Sequence, residues 1–470
     1  MGATLVFYAL IQFLYATGTP LQPITLPDNL PAGRENKALL VGLGPDEKEH
    51  FLYVLSLAEQ GRPPDPDLAR RTSPNAFVSY QAQHPPLFYA LAAVVYKAVR
   101  PLGTQETVWY VLRGLCALCG AFVVMLAARA ARVAFPDRPI VALGTAPFVA
   151  FLPIFGHMTA HLSNEPLAMV FGAWAWLQMA RIARSEEKTP NVRAYALLGL
   201  TLGLAALTRL TALLWLPAAL VVLGYAARRR RDGWRAAAPL LAAAGCFLFL
   251  LLPWLVRSEL IFGTPFLRTF HRPLLQNGAT TADFLRGKAP PPREFPLLVT
   301  PRYTALWYAS TSWLPFWLVQ FYAPGGGVRS APAWQAVFLL VDVTILLALF
   351  LNASRARRCA SVREGRDPSG RALLWASGAA VGFCVLTLVQ QQLFSDWNVV
   401  LSAGRYTVAA APASALLFLF AVSTLGRARR PIAAAILAAA MLAFGLYTVL
   451  LVRQFYADNP AQDAVQRVAG

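Results

Sequence analysis

The chain has 470 residues, of which 57% are hydrophobic and only 14% charged, with a mean hydropathy of +0.48. Soluble domains carry roughly a quarter charged residues, so this composition excludes an ordinary soluble protein and defines an integral membrane protein. The formal net charge of +19 does not point to nucleic acid. The arginines fall in short clusters between apolar runs, as topology signals do, rather than along one hydrophilic face.

A helix that crosses a bilayer needs about 20 apolar residues. Residues 3–19 form the first such run; with no basic leader ahead of it, an uncleaved span is preferred to a cleaved signal peptide. Residues 20–108 are rich in proline and charge and form one long loop. Within it, Leu87 to Ala98 is an apolar run of only about a dozen residues, containing Lys97 and followed by Arg100, which suits a helix lying in the interface. Further spans are expected at 109–131, 139–156, 166–181, 194–207, 211–227, 237–256, 333–352, 372–394, 406–425 and 431–452. The fold class is therefore an all-α integral membrane protein with about eleven transmembrane helices. The stretch Ala194 to Ala227 is too long for one helix, and Thr208-Arg209 sits at its middle; an arginine is costly in mid-bilayer but not at a turn, so a hairpin is expected there. Cys116, Cys119, Cys246 and Cys384 lie in apolar runs and pack as small hydrophobes, and Cys116-x-x-Cys119 lacks the second pair of a metal site.

Basic clusters set the direction of these spans. Arg129, Arg132 and Arg138; Arg181, Arg184, Lys188 and Arg193; Arg228 to Arg231; Arg355, Arg357 and Arg358; and Arg427, Arg429 and Arg430 fall on alternate connections, which are therefore cytoplasmic. The N-terminus is then cytoplasmic and the tail from Arg453 external. On the opposite side lie the long loop, the His157 to Glu165 turn, the Arg209 turn, residues 257–332 and residues 395–405, which together hold the unusual polar chemistry. In residues 257–332, Trp307, Tyr308, Trp313, Phe316 and Trp317 read as interfacial anchors, and Pro290-Pro291-Pro292 as a stiff piece of loop.

Three groups on that outer side could carry chemistry. Pro45-Asp46-Glu47-Lys48-Glu49-His50 precedes the amphipathic run Phe51 to Ala58, and its acids read either as an N-terminal cap or as working carboxylates. The second group is His157 to Pro166, with Asn164 and Glu165; His157 and His161 stand four apart, but a third zinc ligand is missing in sequence. The third is basic: Arg209, Arg257 and Arg405, the last beside Tyr406. A guanidinium matches a phosphate with its planar fork, although snorkelling at helix ends explains each arginine singly. In the long loop, His84-Pro85-Pro86-Leu87-Phe88-Tyr89 stiffens the start of the interfacial helix.

Taken in order, Pro45-Asp46-Glu47-x-x-His50, His84-Pro85-Pro86-Leu87-Phe88-Tyr89, Arg113 at the outer start of a span, Asn164-Glu165-Pro166, Leu207-Thr208-Arg209-Leu210-Thr211, Pro253-Trp254-Leu255-Val256-Arg257 with Gly263-Thr264-Pro265, and Gly404-Arg405-Tyr406 resemble the GT-C superfamily of membrane glycosyltransferases. The nearest relatives are bacterial members akin to protein O-mannosyltransferases and lipid A aminoarabinose transferases. The resemblance covers the N-terminal half, with Gly404-Arg405-Tyr406 alone beyond it. It departs at Arg209, where the family often has Lys, and at Arg257-Ser258, where it has Arg-Asn. It implies a catalytic module over 1–256 that includes loop 20–108, an extracytoplasmic region over 257–332 and variable helices over 333–470.

The resemblance further implies a sugar on a polyprenyl-phosphate donor, a lipid, glycan or protein acceptor, and inverting transfer on the extracytoplasmic side of a bacterial plasma membrane. Asp46 matches the family's catalytic base and Glu165 the acid of the second loop, with Glu47 the second choice for the base. His50, His84, Arg113, Asn164, Arg209, Arg257, Arg405 and Tyr406 are the expected substrate-binding residues. No cofactor is expected, although some relatives hold a divalent ion on loop acids, here Asp46, Glu47 and Glu165. The chemistry is coherent. An attacking hydroxyl needs a base within hydrogen-bond reach, the leaving phosphate needs no strong acid, and guanidinium groups can take up its charge. The alternative is a transporter or flippase for a lipid-linked or anionic substrate. Such proteins keep their charges near mid-bilayer in repeated halves, whereas here the charges sit at span ends and a loop of about ninety residues holds the motifs.

Overall fold

The computed structural model describes residues 1–24, 39–44, 46–66, 77–186, 191–230, 237–262, 367–394, 408–423 and 430–458. The expected span at 333–352, the aromatic residues from Trp307 to Trp317, Arg405 and Tyr406 lie outside the described residues.

The first helix, α1 (Gly2–Gly18), leads into a two-stranded antiparallel sheet of β1 (Leu21–Ile24) and β2 (Leu39–Gly42), with Leu21 opposite Gly42. The architecture is helical as expected, apart from these two four-residue strands at the start of the long loop, too short to register as alternation in the sequence. Next come α2 (Glu47–Gln60), closed by Gly61 in the left-handed conformation, and α3 (Leu87–Val99), the run expected to lie in the interface. Phe88, Tyr89, Ala92, Ala93 and Tyr96 form the inner face of α3, while Leu91 and Val94 face outward. That division is the expected amphipathic one. A separate core of Phe51, Leu52, Phe77, Phe88, Trp109 and Leu162 holds α2, α3 and the start of the next helix together.

The helical bundle begins with α4 (Gln105–Ala134), capped by the Thr104 hydroxyl accepting from the Thr107 N–H at 3.3 Å. The single span expected at 139–156 is instead two helices, α5 (Pro139–Ala150) and α6 (Pro153–Thr159). Pro153 has no N–H to continue the ladder and its ring excludes the helical carbonyl before it, so the chain breaks at Phe151-Leu152 although its apolarity is continuous. There follow α7 (Glu165–Arg184) and α8 (Val192–Thr208), a 3-10 turn over Leu210–Leu214, α9 (Trp215–Arg230) and α10 (Ala237–Phe262). The hairpin expected at Arg209 is present. The last of these helices runs six residues past the expected end at 256, so Arg257 stands on a helix and not in a loop. The C-terminal part consists of α11 (Pro368–Phe394), a 3-10 turn at Val408–Ala410, α12 (Ala411–Ser423) and α13 (Arg430–Asp458).

Three of the described helices are long and apolar enough to cross a membrane: α4, the run Leu210–Arg229 and α10. Close packing of α10 against the shorter α8 uses glycine. A Cβ at Gly199 would strike the Ala243 backbone, so α8 and α10 approach nearly to backbone contact. At one end of the bundle Arg184 on α7 donates to both carboxylate oxygens of Asp367, each at 2.8 Å, and to Ala134 O at the end of α4. At the same end Arg138 before α5 donates to the Ser423 hydroxyl at 2.7 Å. The ends of α1, α6, α8 and α10 and the starts of α4 and α7 gather at the opposite end, where the outer-side motifs meet.

Candidate active site

Asp46 immediately precedes α2 and has φ 57° and ψ 9°, the one left-handed non-glycine residue among those described. Its carboxylate makes no cap hydrogen bond. The capping reading is therefore corrected: a capping aspartate has extended backbone that folds its side chain onto the helix N–H groups, and this backbone turns the side chain elsewhere. The residue is partly exposed.

Glu47, its neighbour, has the opposite fate. It is fully buried, and Arg113 on α4 reaches it through two nitrogens, Nε to Oε1 at 2.9 Å and Nη2 to Oε2 at 2.6 Å. The Gly44 N–H donates to Oε2 at 2.9 Å and the Leu162 N–H to Oε1 at 2.8 Å. Arg113 completes its fork on Ala16 O and Thr19 O at the end of α1. Burial pushes the Glu47 carboxyl up, but the Arg113 guanidinium outweighs it, aided by His161 and the Leu162 N–H, and holds the group at about 2. Glycine at positions 42 and 44 makes room for the pair, since a Cβ at either would collide with Glu47. Glu47 and Arg113 are thus committed to one another and to backbone, and neither is presented to a ligand.

A second buried pair lies across from it. Arg209, at the turn after α8, binds Glu165 Oε1 through Nη2 at 2.9 Å, Asn164 Oδ1 through Nη1 at 2.7 Å and the Thr211 hydroxyl through Nε at 3.2 Å. Asn164 in turn donates to Thr208 O at 3.0 Å, so the two outer turns are tied directly. Arg209 and Glu165 line a narrow, water-sized crevice together with Met169, Ala212, Trp215 and Val408. This arginine orients an acid.

Between the two pairs stands Tyr89, fully buried on the inner face of α3. Burial pushes its phenol well above the usual range, the Tyr53 phenol adds to that, the Arg209 guanidinium opposes it, and the Glu165 and Asp46 carboxylates reinforce it. Asp46, Glu165 and Arg209 therefore all lie within electrostatic reach of one hydroxyl. Tyr89 hydrogen-bonds His50 Nδ1 at 2.8 Å and stacks on Tyr53 with ring centroids 3.8 Å apart. Tyr53 donates to His84 O at 3.1 Å. Arg257 lies over the Trp254 ring at 4.5 Å, donates a long bond to Ala82 O at 3.5 Å and acts electrostatically on the Tyr53 phenol. His50 and the His84 carbonyl thus contact the two tyrosines, and Asp46, Glu165, Arg209 and Arg257 act on their phenols electrostatically. Tyr53 and Tyr89 were not among the expected site residues; Tyr89 stands at the end of the His84 motif, and the buried helical face it occupies was its only signal in sequence.

The histidine pair does not build a zinc site. His161 uses Nδ1 on His157 O at 2.7 Å and Nε2 on the Thr19 hydroxyl at 2.8 Å. Among the described residues no three His, Cys, Asp or Glu side chains converge as metal ligands. Both glutamates of the acid set suggested for a divalent ion are held by guanidinium groups, so these residues do not fit such an ion.

Residues 83–256 match the family model described as dolichyl-phosphate-mannose-protein mannosyltransferase. That stretch, less than half of the chain, is similar to membrane glycosyltransferases of the GT-C kind. The matched stretch runs from the start of the His84 motif through Arg113, Asn164, Glu165 and Arg209 and stops one residue before Arg257. Among solved structures, the Archaeoglobus fulgidus oligosaccharyltransferase AglB, in complex with an inhibitory peptide and a dolichol-phosphate, shares the fold at a TM-score of 0.50 and 12% identity. That likeness covers 96% of this chain but 55% of the archaeal chain, so this protein spans about half the length of that relative. ArnT from Cupriavidus metallidurans bound to undecaprenyl phosphate aligns over 91% of this chain and 78% of its own, at 16% identity and a TM-score of 0.37. No curated protein matches the sequence.

Proposed function

We propose that this protein moves a sugar from a polyprenyl-phosphate donor to a hydroxyl acceptor at the outer face of a bacterial plasma membrane, with inversion and with Asp46 as general base. The observation that carries the reading is the buried cluster of Arg209, Glu165 and Asn164 that ties two turns together, with Asp46 and that cluster both within electrostatic reach of the Tyr89 hydroxyl. Asp46 is the partly exposed acid of the group and makes no cap hydrogen bond. Glu165, held by Arg209 and Asn164, places substrate beside it. Arg257, packed on Trp254, supplies positive charge for the leaving phosphate. The family description and the undecaprenyl and dolichol phosphates bound to the two solved relatives favour a lipid-phosphate donor. The outward orientation follows from the arginine clusters on alternate connections.

The test is transfer from a panel of labelled polyprenyl-phosphate sugars to a membrane extract by the purified protein. Asp46→Asn should lower turnover by about 10²–10⁴-fold, the range of general base catalysis, while expression and membrane insertion stay unchanged. Wild-type turnover in that variant rules out Asp46 as the base.

A further inference from the structure

Glu47 and Asp46 are neighbours, yet Glu47 is sealed from the site. We propose that the Glu47 and Arg113 ion pair is a positioning device that sets Asp46 against Glu165, governing transfer without touching substrate. This rests on the assignment of Asp46 as base. Three chain segments meet at the pair: the end of α1 through Ala16 O and Thr19 O, the loop ahead of α2 through the Gly44 N–H, and the second outer turn through the Leu162 N–H. Asp46 is one residue from the first contact with Glu47, and Glu165 is three residues beyond Leu162. The pair therefore fixes, through one node, the backbone on which each acid stands.

The geometry around Asp46 is closed twice. The Glu47 N–H donates to Gly44 O at 3.2 Å while the Gly44 N–H donates to the Glu47 carboxylate at 2.9 Å. This reciprocal clasp holds Asp46 in a left-handed conformation that residues with a Cβ seldom adopt. The space is shaped for it, because a Cβ on Gly44 would meet both Glu47 and the His161 ring. Misplacing a reacting group by about 1 Å costs on the order of 10²-fold in rate, so a clasp at this point acts on kcat.

Arg113→Lys keeps the charge and loses the fork. In the full-length protein, carbodiimide modification of Asp46 is read by mass spectrometry against Glu106 as internal standard and Glu59 as control. The expected result is a changed ratio of Asp46 to Glu106 with an unchanged ratio of Glu59 to Glu106. An unchanged Asp46 ratio in the folded variant overturns the proposal. With the labelled sugar panel, kcat per folded molecule should fall roughly 10–100-fold with donor KM held within about twofold; wild-type kcat also overturns it. If Arg113→Lys does not fold, melting of Asp46→Gly and Asp46→Ala decides. The clasp requires glycine to melt above alanine, and the reverse order overturns it. A fully active Asp46→Asn defeats the base assignment alone, since the modification and melting results do not depend on it.

Discussion

Two adjacent carboxylates here differ in every physical respect that matters to chemistry. Asp46 is partly open, while Glu47 is fully buried with both oxygens shared between Arg113 and backbone N–H groups. Nothing local distinguishes them in the sequence, because the partner that decides Glu47 lies 66 residues away on α4. The burial of that pair makes it pH-sensitive in a defined direction. The folded Glu47 carboxyl stands at about 2 against an ordinary 4.5. In between, the unfolded chain binds the extra proton, so stability rises with pH through that window. The contribution is complete above the ordinary carboxylate value and is lost as pH falls toward 2. Glu47→Gln should therefore melt well below wild type at pH 7, with the gap closing as pH is lowered through 4. Thermal melts of both proteins across that range provide the check, and a gap independent of pH contradicts the buried ionised pair.

At the level of elements, hydropathy located most of the helices within a few residues, and the alternation of arginine clusters separated the two ends of the bundle before any coordinates. The failures have local causes. The strands β1 and β2 are four residues each and leave no periodic signal, and the break between α5 and α6 falls inside an unbroken apolar run where Pro153 was the only mark. Arg257 sits on α10 because apolar residues continue past it to Phe262. Helix contact is equally local in origin: Gly199 allows α8 to lie against the Ala243 backbone of α10. That contact positions both the Arg209 turn and Arg257, which follow on the same two helices. Gly199→Leu should separate them, costing about 1–3 kcal/mol or more by overpacking. Arg209 and Arg257 should lose their mutual placement with it. A drop in melting temperature together with reduced transfer is the expected outcome; a variant with wild-type melting would deny the close approach.

Across the whole molecule, the candidate site is drawn from the first loop, the second outer turn, the Arg209 turn and α10, with Val408 of the C-terminal part beside it, whereas the Arg184 and Asp367 pair lies at the far end. The site's membership was largely legible, since its acids and arginines stand in order along the outer connections; its internal wiring was not, since Arg209 serving Glu165 and Arg113 serving Glu47 depend on packing between distant segments. The far end offers a separate test of assembly. Arg184 joins α7 to Asp367 ahead of α11, while also donating to Ala134 O on α4. The Asp367 side chain is 46% exposed, so solvent screens the pair and its worth is at most about 1 kcal/mol. Replacing Asp367 by arginine places like charges together where three basic connections already converge. The expected result is a modest fall in melting temperature with transfer per folded molecule unchanged, because no site residue lies at that end. The exchange Arg184→Asp with Asp367→Arg should recover part of the loss. If Asp367→Arg instead abolishes transfer in protein that melts like wild type, the separation of an outer catalytic end from an anchoring end is wrong.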